Sequence, residues 1–502
     1  AKGTTNFTLN GGRNEYAIMG WFYRAAYDYK GKYLAEVNGR YDGTSRFPRG
    51  KRYGFFPSFS AAYRISEEAF FEPLRKTVDN LKIRLSYGSL GNQQIGYYDF
   101  IQTITTKGSM GDYSFDGTIL GQHATVSDPV SGNQTWEKVI SKNLGADLNM
   151  FSNRLSLTAD FYIRDTKGIL GKGKSLPSIY GANEPQVNSN NLRTKGYELV
   201  LGWRDSFKLA GSTFSYGITG TFSDYTAEYT KCDNPSGLIG DPYVGKKYGE
   251  IWGYKVDGLF RNDEEAAEYA SRVDLSKVAA GYYSATGAYG KGVRGGDIKY
   301  LDLDGSGIVD GGKGTLEDPG DRRVIGNSSP RYQYGLTLNL SWYGFDLSVF
   351  MQGIGRLDWY PGADNLRFWG PYSRPYATFI PKNFMSQVWS ESNPDAYLPR
   401  ARAYTSLNST QGTAYYTNDR YLQNLAYCRL KNLTLGYTIP KRLTSKVGIK
   451  ECRVYFSGEN LATWSALKND FLDPEQAAAD SDKKSNVYPW CRTYSVGLNL
   501  TF

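Results

Sequence analysis

The sequence predicts an all-β fold, a transmembrane antiparallel up-and-down β-barrel with long extracellular loops. Three observations predict it. Residues 492–502 alternate strictly: Tyr494, Val496, Leu498, Leu500 and Phe502 fall on one side, Thr493, Ser495, Gly497, Asn499 and Thr501 on the other. A strand with lipid outside and water inside needs that pattern, and only about 9–11 residues are required to cross. Aromatic residues make up 15% of the 502 residues, with 42 Tyr and 10 Trp, whose apolar bodies and polar tips suit a membrane–water interface. Mean hydropathy is nevertheless −0.51. No apolar run approaches the ~18 residues of a transmembrane helix. A soluble Tyr-rich sandwich or propeller would share the composition, so the third observation decides: connections alternate between short and long along the chain.

The period-2 segments run in order over 5–10, 15–29, 33–41, 55–65, 81–89, 139–150, 155–163, 194–203, 214–225, 331–342, 345–351, 427–439, 452–461 and 492–502, about fourteen in all. Ala17, Met19, Trp21, Tyr23, Ala25 and Tyr27 share a face in the second segment. Tyr332, Tyr334, Leu336, Leu338, Leu340 and Trp342 do so in the tenth. The turns at 30–32, 151–154 and 343–344 are short, whereas 91–138, 165–193, 227–330, 352–426 and 462–491 are long. Counted back from the last strand, every short turn falls on one rim, the periplasmic one. The loops 227–330 and 352–426 are too large to be simple connectors and are expected to fold into extracellular structure. Residues 263–272 read as a short charged helix capped by Asn262.

Several function classes drop out. The net charge of +9 comes from scattered residues without a Lys/Arg block, so nucleic-acid binding is unsupported. His123 is the single histidine, which excludes a His-based triad and a multi-His metal site. Cys232, Cys428, Cys452 and Cys491 lack metal or redox spacing and are expected as free thiols. Carboxylate pairs occur without a convergent base or nucleophile, so no catalytic residue is assigned and no enzyme is expected. The chain starts at Ala1-Lys2-Gly3 without an apolar signal segment, as expected of a processed or internal piece.

Some runs are more distinctive than a generic barrel strand. They include Leu81-Lys82-Ile83-Arg84-Leu85-Ser86-Tyr87-Gly88, Phe161-Tyr162-Ile163-Arg164-Asp165-Thr166-Lys167 and Gly249-Glu250-Ile251-Trp252-Gly253-Tyr254. Gly296-Asp297-Ile298-Lys299-Tyr300 and Ile325-Gly326-Asn327 follow. The most specific is Arg429-Leu430-Lys431-Asn432-Leu433-Thr434-Leu435-Gly436-Tyr437-Thr438-Ile439-Pro440, with Gly458-Glu459-Asn460-Leu461 after it. In order and spread, from about residue 80 onward, these runs resemble the C-terminal half of SusC/RagA-type TonB-dependent outer-membrane transporters. The resemblance implies that 1–502 is the C-terminal part of a receptor barrel of 22 strands with a plugged lumen. The family's N-terminal extension, TonB box, plug and first strands are not recognisable here, so one portion of a longer or split protein is expected. The resemblance further implies a Bacteroidetes-type outer membrane and contact with its lipid and lipopolysaccharide. It implies a SusD-like surface lipoprotein as a lid, and a TonB–ExbB–ExbD complex acting through the plug. The substrates it implies are oligosaccharides or oligopeptides.

Two candidate sites stand out. The loop after Met351 holds Trp359, Tyr360, Arg367, Phe368, Trp369, Tyr372 and Arg374, a combination of stacking faces and directional donors that suits a substrate-facing wall. Packing between loops, or against a lid, would use the same residues. Asp302, Asp304, Ser306, the Ile308 carbonyl and Asp310 resemble the front of an EF-hand loop, the arrangement a hard cation such as Ca²⁺ requires. Position twelve is Lys313, so Glu317, Asp318 or Asp321 would have to substitute. An Asp/Gly-rich turn without metal fits the run equally. No cofactor is required, and structural Ca²⁺ is the one cation considered. Two rival functions remain open: a passive porin closed by an even strand count, and a surface adhesin whose loops bind a host or matrix.

Overall fold

In the computed structural model the alternating segments pair into a single antiparallel sheet of thirteen strands. The structure describes residues 11–502 apart from 108–113, 116–117, 120–122, 175, 284–291, 375, 377, 379, 381, 403–406, 408–411, 469–471 and 480–489. The first seven strands are β1 (Ile18–Tyr29), β2 (Tyr33–Thr44), β3 (Tyr53–Arg64), β4 (Val78–Asn92), β5 (Glu137–Met150), β6 (Leu155–Lys172) and β7 (Gln186–Leu209). The last six are β8 (Ser212–Lys231), β9 (Arg331–Trp342), β10 (Phe345–Arg356), β11 (Tyr427–Thr438), β12 (Glu451–Ser465) and β13 (Thr493–Thr501). Each pairs with the next, as an up-and-down sheet requires. Thirteen expected segments are thus strands of this sheet, and the other, 5–10, lies outside the described residues.

The register fixes the two faces. Val496, Phe456 and Leu435 lie level on the lipid side, while Ser495, Ser457 and Thr434 lie level on the lumen side. The same parity carries round the sheet, so Leu144, Phe161 and Tyr197 face out and Asn143, Tyr162 and Gly196 face in. No described helix is long and apolar enough to cross a membrane. Two of the tight hairpins on the periplasmic rim use Ala210-Gly211 (φ 50° and 84°) and Tyr343-Gly344 (φ 48° and 83°). Two successive positive φ values match the twist of the flanking strands, and glycine takes the second without Cβ strain.

Two findings change the expectation. The ladders run past the alternating stretches: β7 begins at Gln186 instead of 194, and β6 continues to Lys172 instead of ending at 163. Above the apolar belt both faces meet water, so the pattern fades while backbone pairing continues. The outer connections shrink accordingly to 173–185, 232–330 and 357–426. The second finding is that β1 and β13 are the two sheet edges and do not pair with each other. All twelve residues of β1 are exposed. An edge in hydrocarbon leaves N–H and C=O groups unsatisfied at several kcal/mol each. The described strands therefore form one wall of a barrel, with both edges open among the described residues.

The two largest outer loops fold together above this wall. Glu250–Tyr254 pairs with Arg322–Asn327, Val256–Leu259 with Ile298–Tyr300, and Asp358–Trp359 with Gln423–Asn424. The helix α1 (Asp263–Arg272) starts where expected, with the Asn262 side chain accepting from the Glu265 N–H. A bridge between Tyr254 and Asn418 ties one loop to the other. The shared core includes Phe260, Ile298, Tyr300, Trp369, Tyr421 and Leu425, all essentially inaccessible.

Candidate functional site

The lumenal wall is polar because every second residue of each strand must face water or a polar partner inside the barrel. Arg84 on β4 binds Asp147 on β5 at 2.9 Å and Asp160 on β6 at 3.0 Å. Asn143 donates to the other Asp160 oxygen at 2.7 Å, which also accepts from Arg84 at 3.0 Å. On the other flank Arg453 of β12 reaches over β11 to Asp346 of β10 at 2.5 Å. Between these ion pairs, near the periplasmic rim, lies an inner groove of about 640 Å³ bordered by Arg204, Ser215, Asn339 and Asp346. These wall residues were not singled out from sequence. Their signal was present, since each is a charged residue at the lumenal parity of an otherwise apolar strand.

At the outer end Arg429 is almost fully buried. It donates to Asp473 at 2.6 Å, Glu475 at 2.8 Å and Thr463 at 2.9 Å. Lys431 adds a second contact to Glu475 at 2.8 Å. Asp473 also caps the short helix Pro474–Ala477, so one cluster fastens the last outer loop to β11.

Five aromatic residues of the expected substrate wall sit inside the loop body. Trp359, Tyr360, Phe368, Trp369 and Tyr372 are each 7% exposed or less. Phe368 and Trp369 meet edge to face at 4.7 Å, and Trp369 meets Tyr421 at 5.1 Å. The Tyr372 hydroxyl donates to the Pro399 carbonyl at 2.5 Å. The Tyr360 hydroxyl donates to Tyr416 at 3.0 Å and accepts from Asn418 at 3.1 Å. Burial raises the Tyr300 and Tyr360 hydroxyls well above their usual range, so both stay neutral donors. Of the seven residues only Arg367 and Arg374 are exposed, the latter 3.9 Å from Asp364. Sequence reasoning had offered these rings as a substrate-facing wall or as packing between loops. It could not tell a stacking platform from a core, because both use aromatic residues at irregular spacing. It also missed the Arg402–Asp297 pair, which is buried on both sides at 2.5 Å and links the two loops.

The acidic run behaves differently from its EF-hand reading. Asp302 and Asp304 converge with Asp321, one oxygen of each lying within 4.8 Å of the others. Asp321 occupies the place sequence left open for a late carboxylate. Asp310 contributes its N–H to Asp321 at 2.9 Å, while its own carboxylate accepts from the Gly312 N–H at 2.7 Å. The Ser306 hydroxyl donates to the Ile308 carbonyl at 3.0 Å. Asp302 accepts from the Gly305 and Gly307 N–H groups at 2.8 and 2.9 Å. A carboxylate has about four lone-pair sites, so these bonds leave acceptor capacity for a cation. Burial, with the Asp304 charge adding to it, pushes the Asp321 carboxyl up, and a bound cation would reverse that.

Comparison with known proteins agrees with this architecture. The profile of the family described as TonB dependent receptor-like, beta-barrel, matches residues 2–461. TonB-dependent receptor P3 of Formosa agariphila is 27% identical over 97% of this chain and 46% of its own length. TonB-dependent receptor SusC of Bacteroides thetaiotaomicron is 23% identical over 97% of this chain and 44% of its own. The solved RagAB peptide transporter shares the fold with a TM-score of 0.71 at 22% identity, covering 97% of this chain and 48% of that one. The chain spans about half the length of the curated relatives it matches.

Proposed function

This chain belongs to the TonB dependent receptor-like β-barrel family of the bacterial outer membrane, and from that premise we propose that it is the barrel portion of a SusC-like nutrient importer. The observation that carries the reading is the open sheet. Among the described residues, thirteen strands with two unpaired edges, a charged lumenal wall and a packed outer body suit one half of a larger plugged barrel. Strands outside this chain would close the sheet, and the groove beside Arg204 and Asp346 would face the plug. Import would then draw on TonB–ExbB–ExbD through that plug.

A SusD-like lipoprotein would close the outer end. Apolar side chains exposed on the outer loops give it a surface: Ile179 is 94% exposed, Tyr376 83% and Met385 72%. The substrates proposed are oligosaccharides or oligopeptides. Trp359, Tyr360, Phe368, Trp369 and Tyr372 would hold the shape of the loop wall, and Arg367 and Arg374 would meet the substrate at its surface. Ca²⁺ at Asp302, Asp304 and Asp321 would stiffen the 301–325 segment.

The test is deletion of the gene in its native host, followed by growth on defined oligosaccharides or oligopeptides as the sole source. The reading expects loss of growth on one class, and co-purification of a surface lipoprotein with the tagged protein. Unimpaired growth on both, or steady ion conductance from this 502-residue segment alone, would overturn it.

A further inference from the structure

The outer face of β5–β8 changes character along the strands. One level carries Leu144, Phe161 and Tyr197, side by side and facing lipid. On the next level toward the extracellular rim, Lys142 and Lys195 flank Ile163. Higher still come Asp165 opposite Arg193, then Lys138 opposite Lys167. Glu228 stands beside Arg193. Five basic residues thus face out above the apolar rows, against the two carboxylates of Asp165 and Glu228.

Height and pairing matter here. A rise of about 3.3 Å per residue on a strand tilted by about 40° puts the Ile163 level roughly 20 Å above Leu155, near the top of a barrel's apolar band. Other sectors carry the usual aromatic girdle toward that rim, as at Trp21, Tyr41 and Phe55. Asp165 is already held by Arg193 at 2.6 Å. Among the described residues no salt bridge engages Lys138, Lys142, Lys167 or Lys195, and all four are exposed. The boundary between the two zones is a groove of about 620 Å³ with Leu144 and Phe161 on its apolar side and Lys142 and Lys195 on its basic side; its one carboxylate, Asp224 beside Tyr197, is neutralised by Arg331 at 2.6 Å.

We propose that this groove binds a phosphorylated glycolipid of the outer leaflet, with its acyl chains on Leu144 and Phe161 and its phosphate between Lys142 and Lys195. Apolar wall below and unpaired cations above are complementary to an anionic amphiphile, and to neither a neutral lipid nor a soluble anion. The long-loop side of the barrel is extracellular, so the lipid in reach is the outer-leaflet glycolipid of the lipid A type. Lysine ammonium groups serve as point charges for phosphate, and Tyr87 beside Lys142 offers a ring face to the sugar. The inference rests on the membrane position of the sheet, not on which nutrient is imported.

The experiment is native mass spectrometry of the full-length protein, extracted from its own outer membrane in mild detergent. Purified lipid A, phosphatase-treated lipid A and phosphatidylglycerol are then titrated in. Retention of the barrel's heat-modifiable mobility checks that each variant is folded. The paired substitution Lys142→Gln and Lys195→Gln is expected to weaken lipid A binding by about tenfold or more, since both point charges that attract the phosphate are removed. Lys142→Arg with Lys195→Arg, and Lys30→Gln on the opposite rim, are expected to keep it. Unchanged binding in the double Gln variant would overturn the proposal. Equal binding of phosphatase-treated lipid A, or of phosphatidylglycerol, would also overturn it.

Discussion

The Arg84 guanidinium reaches past the backbone of β5 to the Asp160 carboxylate, two strands away, because Gly145 lies between them. A Cβ at position 145 would stand 2.5 Å from the Asp160 oxygen and 2.6 Å from the guanidinium carbon. Gly436 plays the same part for Arg453 and Asp346, where a Cβ would lie 2.5 Å from an atom of each. A glycine in the middle strand lets one ion pair fasten three strands on the lumenal wall.

Gly145→Ala is therefore expected to break the Arg84–Asp160 contact and leave the strand pairing intact, since the clash is with side-chain ends. The expected loss is about 1–2 kcal/mol, read as a lower denaturant midpoint of the refolded full-length barrel. An unchanged midpoint would show that the pair adds nothing.

Arg429→Met would leave Asp473 and Glu475 facing a buried apolar side chain. Breaking a buried ion pair on one side costs about 3–5 kcal/mol. The cost is expected locally, as faster proteolysis of the last outer loop without loss of the barrel's heat-modifiable mobility.

The Glu265 carboxyl gives a pH dependence with a definite sign. Burial pushes it up, but the Arg261 N–H and the Lys299 ammonium outweigh burial and hold it below its usual value of 4.5. A lowered folded-state value means that its contribution is complete above about pH 4.5 and is lost as pH falls through the lowered value. Hydrogen exchange over 261–272 is expected to accelerate on acidification through that range, and Glu265→Gln is expected to remove the step.

Calcium at the three-aspartate cluster is expected to protect the 301–325 segment from protease. Extracellular sites of this kind have dissociation constants of about 0.1–1 mM, so 1 mM Ca²⁺ would stabilise the segment by roughly 0.4–1.4 kcal/mol. Asp321→Asn is expected to abolish the protection. Equal protection by Ca²⁺ in the variant would remove Asp321 from the site.

The sequence by itself determined the wall. Period-2 alternation is imposed by lipid on one side and water on the other, so thirteen strands, their order and their faces were legible in it. The helix at 263–272 was legible too, because Asn262 and Glu265 act within one turn. Only the tertiary structure decided where the ladders end and what the loops do. Above the membrane both faces meet water, so β6 and β7 continue without a pattern to show it. Trp359 and Trp369 could equally have been a platform or a core, and burial under neighbours such as Tyr421 made them core. Asp321 joined Asp302 and Asp304 across 17 and more residues of chain, a closeness that no local spacing encodes. The open edges at β1 and β13 also belong to the tertiary structure, since pairing between strands far apart in sequence leaves no periodic trace in either one.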